Sequence, residues 1–264
     1  MRKAGVAVVT GGGSGIGRAV CLRLARAGWR VYDLSRRERP AEGVFHLGCD
    51  VTEEDSVASA FEEIGKRETR IDLLVNNAGG GVSGAVEFAD VERARALFDL
   101  NFFGAVRCVQ AALPLLRKSA RGRIVNLSSV AASLPIPFQT FYSASKSAIN
   151  ALTMTLANEL RPFKIGVTAV LPGDAATGFT DAREKDERGD ELYGGRIRKS
   201  VSAMERDERG GMSPDAVAKR VCKVACRRRV RPLVGVGGKY RFFLLLGKIL
   251  PARFVNRILG ALYA

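Results

Sequence analysis

Val6-Ala7-Val8-Val9-Thr10-Gly11-Gly12-Gly13-Ser14-Gly15-Ile16-Gly17 decides the fold, and it runs on into Ala19, Val20, Leu22, Leu24 and Ala25 at helical spacing. An unbroken apolar run suits a strand buried on both faces of a parallel sheet, and the periodic residues after it suit a helix. Between them, glycines without a Cβ let the backbone approach a pyrophosphate closely, while the amides and dipole of the first helical turn attract its charge. Gly11, Gly12, Gly13, Gly15 and Gly17 exceed what a change of direction requires. The segment reads strand, dinucleotide-binding turn, helix. Its spacing, G-x-x-x-G-x-G over Gly11, Gly15 and Gly17, departs from the G-x-G-x-x-G fingerprint.

A second cluster lies downstream. Tyr142 and Lys146 stand four apart in Phe141-Tyr142-Ser143-Ala144-Ser145-Lys146, with Ser129 thirteen residues ahead of the tyrosine. The apolar spacing predicts a helix from Phe141 to Pro162, which would set phenol and ammonium on one face. A free tyrosine, with a pKa of about 10, is a poor acid or base at neutral pH, and a neighbouring cation draws it toward the operating range. Ser129 could then donate to the same substrate oxygen. Strand alternation favours Ser129 over its neighbour Ser128 for that task.

These motifs together resemble the short-chain dehydrogenase/reductase family over nearly the whole chain. Thr10 to Gly17 matches the family's glycine loop, and Asn76-Asn77-Ala78-Gly79, after the apolar run Ile71 to Val75, its N-N-A-G. Asn101 lies where the family keeps a helical asparagine; Ser129, Tyr142 and Lys146 match its catalytic serine and Y-x-x-x-K. Pro172-Gly173 follows the apolar run Gly166 to Leu171 as the family's P-G does, and Thr177 falls at its following threonine. The resemblance implies a single doubly wound Rossmann-type α/β domain with a parallel seven-stranded sheet flanked by helices. Residues 1–130 would be mainly the cofactor half, and 131–264 the catalytic helix, substrate lid and a basic tail. It also implies roles: Tyr142 as general acid or base, Ser129 polarising the carbonyl, Lys146 lowering the tyrosine pKa and binding the nicotinamide ribose, Asn101 holding a water in a proton relay. Hydride chemistry of this kind needs no metal, and none is indicated.

Cofactor choice turns on the second strand, Trp29 to Leu34, which leads into Ser35-Arg36-Arg37. A NAD-selective site wants a carboxylate there, whereas an arginine suits a 2′-phosphate. Ser35 stands at the usual acidic position and Arg36 follows it, which predicts NADP(H) in preference to NAD(H). Asp33 is the competing acid if the register is displaced by two. Asp50-Val51 resembles the pair that contacts adenine.

With 264 residues, 47% of them hydrophobic, the chain fits one large α/β domain. The charged stretch 181–211, punctuated by glycines, is expected to form a mobile lid or a solvated loop. Five cysteines without regular spacing point to a reducing, cytoplasmic setting; Cys222 and Cys226 read as small hydrophobes. No leader is expected, because the apolar run after Arg2 and Lys3 is short and enters the glycine turn directly.

The net charge of +15 is concentrated late: no acidic residue follows Asp215, while the tail is rich in Lys and Arg, Arg228 and Arg229 among them. Interspersed are Phe242-Phe243-Leu244-Leu245-Leu246, Ile249-Leu250 and Phe254-Val255. This basic amphipathic tail is too short and charged to span a bilayer. It could wall a lipophilic pocket and a subunit contact, lie on an anionic membrane surface, or, least in keeping with the pattern, bind nucleic acid.

Residues Leu134 to Phe141 would line the substrate entrance, and with Gly81 to Glu87 and Leu100 to Ala105 they resemble the branch holding hydroxysteroid and retinol dehydrogenases. A lipophilic alcohol or ketone is the expected substrate. A 3-oxoacyl reductase, or an NADP-binding sensor or scaffold without catalysis, are the alternatives. Apolar helices around Val106–Leu116 and Ala148–Leu160 resemble the family's subunit-contact helices, which implies a homo-oligomer, although an amphipathic face by itself needs only some partner.

Overall fold

The computed structural model of the protein describes residues 5–227 and 231–263. Arg2, Lys3, Arg228 and Arg229 lie outside the described residues. The first half alternates strand and helix: β1 (Val6–Thr10), α1 (Gly15–Arg26), β2 (Arg30–Ser35), β3 (Val44–Gly48), α2 (Glu54–Arg67) and β4 (Leu73–Asn76). A short β5 (Val82–Ser83) precedes α3 (Val91–Phe98) and α4 (Gly104–Leu116), followed by β6 (Arg123–Leu127), α5 (Thr140–Glu159) and β7 (Gly166–Leu171). The last third holds α6 (Phe179–Ala182), β8 (Glu184–Lys185), α7 (Arg196–Arg209), α8 (Pro214–Ala225), β9 (Leu233–Gly235), α9 (Gly238–Ile249) and α10 (Ala252–Tyr263).

Seven strands form one parallel sheet in the order β3-β2-β1-β4-β6-β7-β9. Every residue of β1, β4 and β6 is buried, the mainly apolar Val, Leu and Ile together with the polar Thr10, Asn76, Arg123 and Asn126. One face packs on α1 and α8 through Val20, Leu24, Val217, Val221 and Val224. The other packs on α2, α4 and α5 through Phe61, Ile64, Cys108, Ala112, Leu116 and Leu156. The chain is thus the doubly wound α/β domain expected. Strand order reverses between β1 and β4, and the crevice at the carboxyl ends of those two strands is where such sheets bind ligands.

Inside the sheet, a polar ladder ties β4, β6 and α5 together. Asn76 donates to the Asn126 side chain at 2.9 Å, and Asn126 donates to the Thr153 hydroxyl at 2.9 Å. Three buried polar residues on three elements hold register by hydrogen bonding as well as packing. The helix carrying Tyr142 and Lys146 is slightly shorter than its apolar spacing suggests: α5 stops at Glu159, and Pro162 sits in a separate 3-10 turn, Arg161–Phe163. Pro162 has no N–H to continue the ladder.

The charged stretch 181–211 is more ordered than its composition suggests. Its second half is α7, whose Ile197, Val201 and Met204 are buried at helical spacing. Val91–Leu116 is long and apolar enough to cross a membrane by length and composition. Within this domain it is a core element, with Cys108, Val109, Ala112 and Leu116 buried. All five cysteines are free; Cys21, Cys49 and Cys108 are buried, but Cys226 is exposed, contrary to its reading as a small hydrophobe.

Candidate active site

The cofactor end is built where the turn after β1 meets the loop after β4. The Thr10 hydroxyl accepts from the backbone N–H groups of Asn77 (2.9 Å) and Ala78 (3.0 Å). In return the Asn77 side chain donates to the carbonyls of Thr10 (3.0 Å) and Gly11 (3.2 Å). Gly11 and Gly15 hold φ of 65° and 51°, the left-handed region that glycine enters without a Cβ penalty. A Cβ on Gly17 would sit 2.3 Å from the Gly11 carbonyl oxygen, and one on Gly13 would meet Ser35 Oγ at 3.3 Å. The floor of this end is therefore bare backbone at the start of α1, a cradle suited to the phosphates of a dinucleotide.

A single cleft of about 770 Å³ runs from this floor past Tyr142 and Lys146 of α5 to α9 and α10. Gly11, Gly13, Ser14, Gly15, Ile16, Ser35, Arg36, Asp50, Val51, Asn77, Ala78 and Gly79 line its cofactor end. Ser129, Tyr142, Lys146, Pro172, Gly173 and Thr177 line the rest of the predicted site. Thr10, Gly17 and Asn101 stand behind the wall and brace it.

Asp33 does not face the cleft. Its carboxylate, 2% exposed, accepts from the Gly12 N–H at 2.7 Å and the Ser35 hydroxyl at 2.8 Å. Buried and doubly bonded, it props the glycine turn. The strand end is left to Ser35 and to Arg36, whose side chain is 77% exposed and lies 3.9 Å from Asp50. Asp50 itself accepts from the Thr52 N–H and hydroxyl.

At the catalytic end, Lys146 is buried on α5, and its Nζ donates to the Leu127 carbonyl at 3.0 Å, pinning the helix to the end of β6. The same Nζ lies 5.8 Å from the centroid of the Tyr142 ring. Ser128 donates to the Lys146 carbonyl at 3.1 Å and is committed to the helix, whereas Ser129 hydrogen-bonds with Tyr142 and accepts from the Ala131 N–H.

Asn101 sits in a π-helical turn, Asp99–Phe103, that interrupts the passage from α3 to α4. Such turns recur at functional sites because they break the regular helix register. Its Oδ1 accepts from the Gly80 N–H at 2.8 Å, and its Nδ2 donates to the Gly80 carbonyl and to Ser145 Oγ, each at 3.0 Å. Both polar ends of the amide are engaged by protein groups. The side chain therefore holds the loop after β4 against α5.

Burial governs the electrostatics here. It pushes the Tyr142 phenol up to about 12; the hydrogen bond with Ser129 and the charge of Arg183 oppose this, and the carboxylates of Glu208 and Asp174 reinforce it. Burial likewise pushes Lys146 down to about 8. The expectation that Lys146 would draw the phenol below its ordinary value is not met in this structure. Desolvation dominates at the phenol, and the Lys146 ammonium is directed at the Leu127 carbonyl.

Beyond Tyr142 the walls are apolar, with a few polar groups. Phe179 packs its ring 5.5 Å from that of Tyr142 and lies over Gly81, where a Cβ would meet it at 2.7 Å. Leu134, Ile136 and Gln139 of the expected entrance segment line this end, joined by Met204 of α7, by Tyr240, Phe243 and Leu246 of α9, by Leu250 just after it, and by Val255, Leu259 and Tyr263 of α10. Asp174 accepts from the Tyr240 hydroxyl at 2.5 Å, and burial raises its carboxyl pKa. Glu208 pairs with buried Arg183 and accepts from Thr180 at 2.8 Å. Phe138 of the expected entrance segment lines a separate small pocket and holds φ of 60°, a strained value for a residue with a Cβ. Phe179, Met204 and Glu208 were not singled out from the sequence. The spacing Ile197, Val201, Met204 was the available sign that α7 would turn a face inward.

Comparison with known proteins agrees with this geometry. The family described as short chain dehydrogenase matches residues 5–188. A relative from Bacteroides thetaiotaomicron named 3-ketodihydrosphingosine reductase is 39% identical, over 88% of this chain and 89% of its own. Among solved structures, a short-chain dehydrogenase/reductase from Burkholderia phymatum in complex with NAD superposes with a TM-score of 0.80 at 26% identity, covering 92% of each chain. One from Burkholderia cenocepacia in complex with NADP gives 0.77 at 26% identity, covering 97% of each. The chain belongs to the short-chain dehydrogenase family of oxidoreductases.

Proposed function

We propose that the protein is an NADP(H)-dependent reductase of long-chain ketones, with Tyr142 delivering the proton to the carbonyl oxygen. The observation that carries this reading is the continuity of one cleft from the glycine cradle, past Ser129, Tyr142 and Lys146, into an apolar chamber. A bound nicotinamide dinucleotide supplies the hydride. Ser129 orients the carbonyl and shares the phenol's hydrogen bond; Lys146 holds the ribose side of the site and fixes α5 to β6. A phenol with a raised pKa stays protonated at neutral pH, which is the form a general acid needs.

Arg36 at the strand end and Asp33 turned inward support NADP(H) over NAD(H). The lipophilic substrate is read from the chamber walls, and its head from Asp174 and Glu208, which both act on the phenol. A ketodihydrosphingosine, an amino ketone on a long alkyl chain, has the ammonium that such carboxylates would attract. Exposed Phe103 and Met154 suit a homo-oligomer contact, in a cytoplasmic enzyme with no nucleic-acid partner.

The deciding experiment follows NADPH consumption with 3-ketodihydrosphingosine and with a ketone of equal chain length lacking the amine, for wild type and Asp174→Asn. Faster turnover of the amino ketone, lost selectively in the variant, supports the reading. Absence of turnover on either, with NADPH still bound, would move the protein to the non-catalytic class.

A further inference from the structure

We infer that α9 and α10 dock the protein on an anionic lipid bilayer, with the substrate chamber on their inner side. Helical spacing divides α9 into two apolar faces. Tyr240, Phe243 and Leu246 turn toward the cleft, as does Leu250 just after the helix, and Phe242, Leu245 and Ile249 turn away from it. The three outward residues are each more than half exposed, and Phe254 of α10, also off the cleft, is nearly half exposed. Neither helix has a fully buried residue. An apolar face of this extent, left open on one side of a soluble domain, marks a surface that meets something apolar.

The charges identify the partner. Arg241, Lys248, Arg253 and Arg257 are exposed on the same two helices, and among the described residues none of them forms an ion pair with a carboxylate. No acidic residue exists beyond Asp215 to balance them. A second copy of this strongly basic chain would bring like charges together, whereas an anionic membrane surface complements both features. Each helix has twelve residues, and Pro251 separates them, so they are too short to cross a bilayer and are suited to lie in its interface. With the inner faces forming the chamber wall, a lipophilic molecule could pass from the leaflet to Tyr142 without crossing water. This last step rests on the proposed reductase reading; the docking does not.

The test is sedimentation of the full-length protein with phosphatidylcholine vesicles, with and without phosphatidylglycerol. Two variants, Lys248→Glu/Arg253→Glu and Phe242→Ser/Ile249→Ser, are run beside it, and each preparation is also examined by analytical ultracentrifugation. Binding that requires phosphatidylglycerol and weakens by about tenfold or more in both variants is the expected result. Failure to sediment with anionic vesicles overturns the inference, as does binding that neither variant changes. Dissociation of an oligomer by Phe242→Ser/Ile249→Ser, without vesicle binding by the wild type, would assign this face to a second copy instead. A reductase assay with NADPH and detergent-dispersed 3-ketodihydrosphingosine, run without vesicles, separates the two readings: vesicle binding without turnover refutes the enzyme and leaves the docking intact.

Discussion

A Cβ on Gly173 would lie 2.3 Å from the ring of Tyr240, so the strand end that closes the cofactor wall touches the first turn of α9 with nothing between them. Tyr240 cannot swing aside cheaply, because its hydroxyl is bonded to Asp174. Gly173→Ala should therefore lever α9 away from the cleft at a cost of about 1–3 kcal/mol, the usual range for overpacking. Melting temperature and tryptic cleavage after Arg241 and Lys248 would register it. Gly238→Ala, with nothing within 4 Å of the added Cβ, is the control and should change stability by no more than about 0.5 kcal/mol.

Removing the phenolic hydroxyl tests the chemistry. Tyr142→Phe leaves the ring packed against Phe179, so the cleft keeps its shape. The turnover number should fall by roughly 10²–10⁴-fold, the range of a general acid, while NADPH affinity measured by fluorescence stays within a few-fold of wild type. Near-normal turnover would remove Tyr142 from the mechanism.

Cofactor selectivity should rest on Arg36. Its loss in Arg36→Ala removes a charge-assisted contact of about 1.5–3 kcal/mol, which predicts a fall of about ten- to a hundredfold in kcat/KM for NADPH. The value for NADH should hardly move. An unchanged ratio between the two cofactors would assign the 2′-phosphate to another group or to none.

The pH dependence of stability gives a test of Lys146 that needs no substrate. Its pKa is lowered from the ordinary 10.5 to about 8 by burial. Between those values the unfolded chain holds a proton that the folded chain has lost, so this residue's contribution makes stability rise with pH. At about 1.4 kcal/mol per pH unit the full effect is of order 3 kcal/mol. The buried thiols of Cys21, Cys49 and Cys108, raised by the same desolvation, act in the opposite sense as unfolded thiols ionise near pH 9. The comparison must therefore be between wild type and Lys146→Met at each pH, which cancels the cysteines. The stability of wild type relative to the variant should climb from pH 8 to pH 10.

The cofactor half was legible because its physics is local. A turn that must approach a phosphate advertises itself in Gly11 to Gly17, and β1 could only be a two-sided buried strand. Tyr142 and Lys146 were legible for the same reason, being one helical turn apart. Phe179 and Glu208 were not, since they reach the cleft through α6 and α7 from a stretch whose charge masks its inward face. Nor could the sequence show that Asp33 would be consumed by the Gly12 amide, or that Asn101 would be held by Gly80 and Ser145. Those facts depend on which loops the sheet order sets side by side, and no local spacing records it.

The π turn at Asp99–Phe103 carries one residue more than a regular α-helical turn can absorb. A chain shortened by one residue there would wind from Val91 to Leu116 without interruption and make a better helix. In doing so it would rotate α3 about 100° around the axis relative to α4. Asn101 would then point away from Gly80 and Ser145, and the loop carrying Gly79 would lose its anchor to α5. The alignment of the site is thus bought with a flaw in the helix, and mutation toward a smoother sequence would cost the enzyme its geometry before its fold.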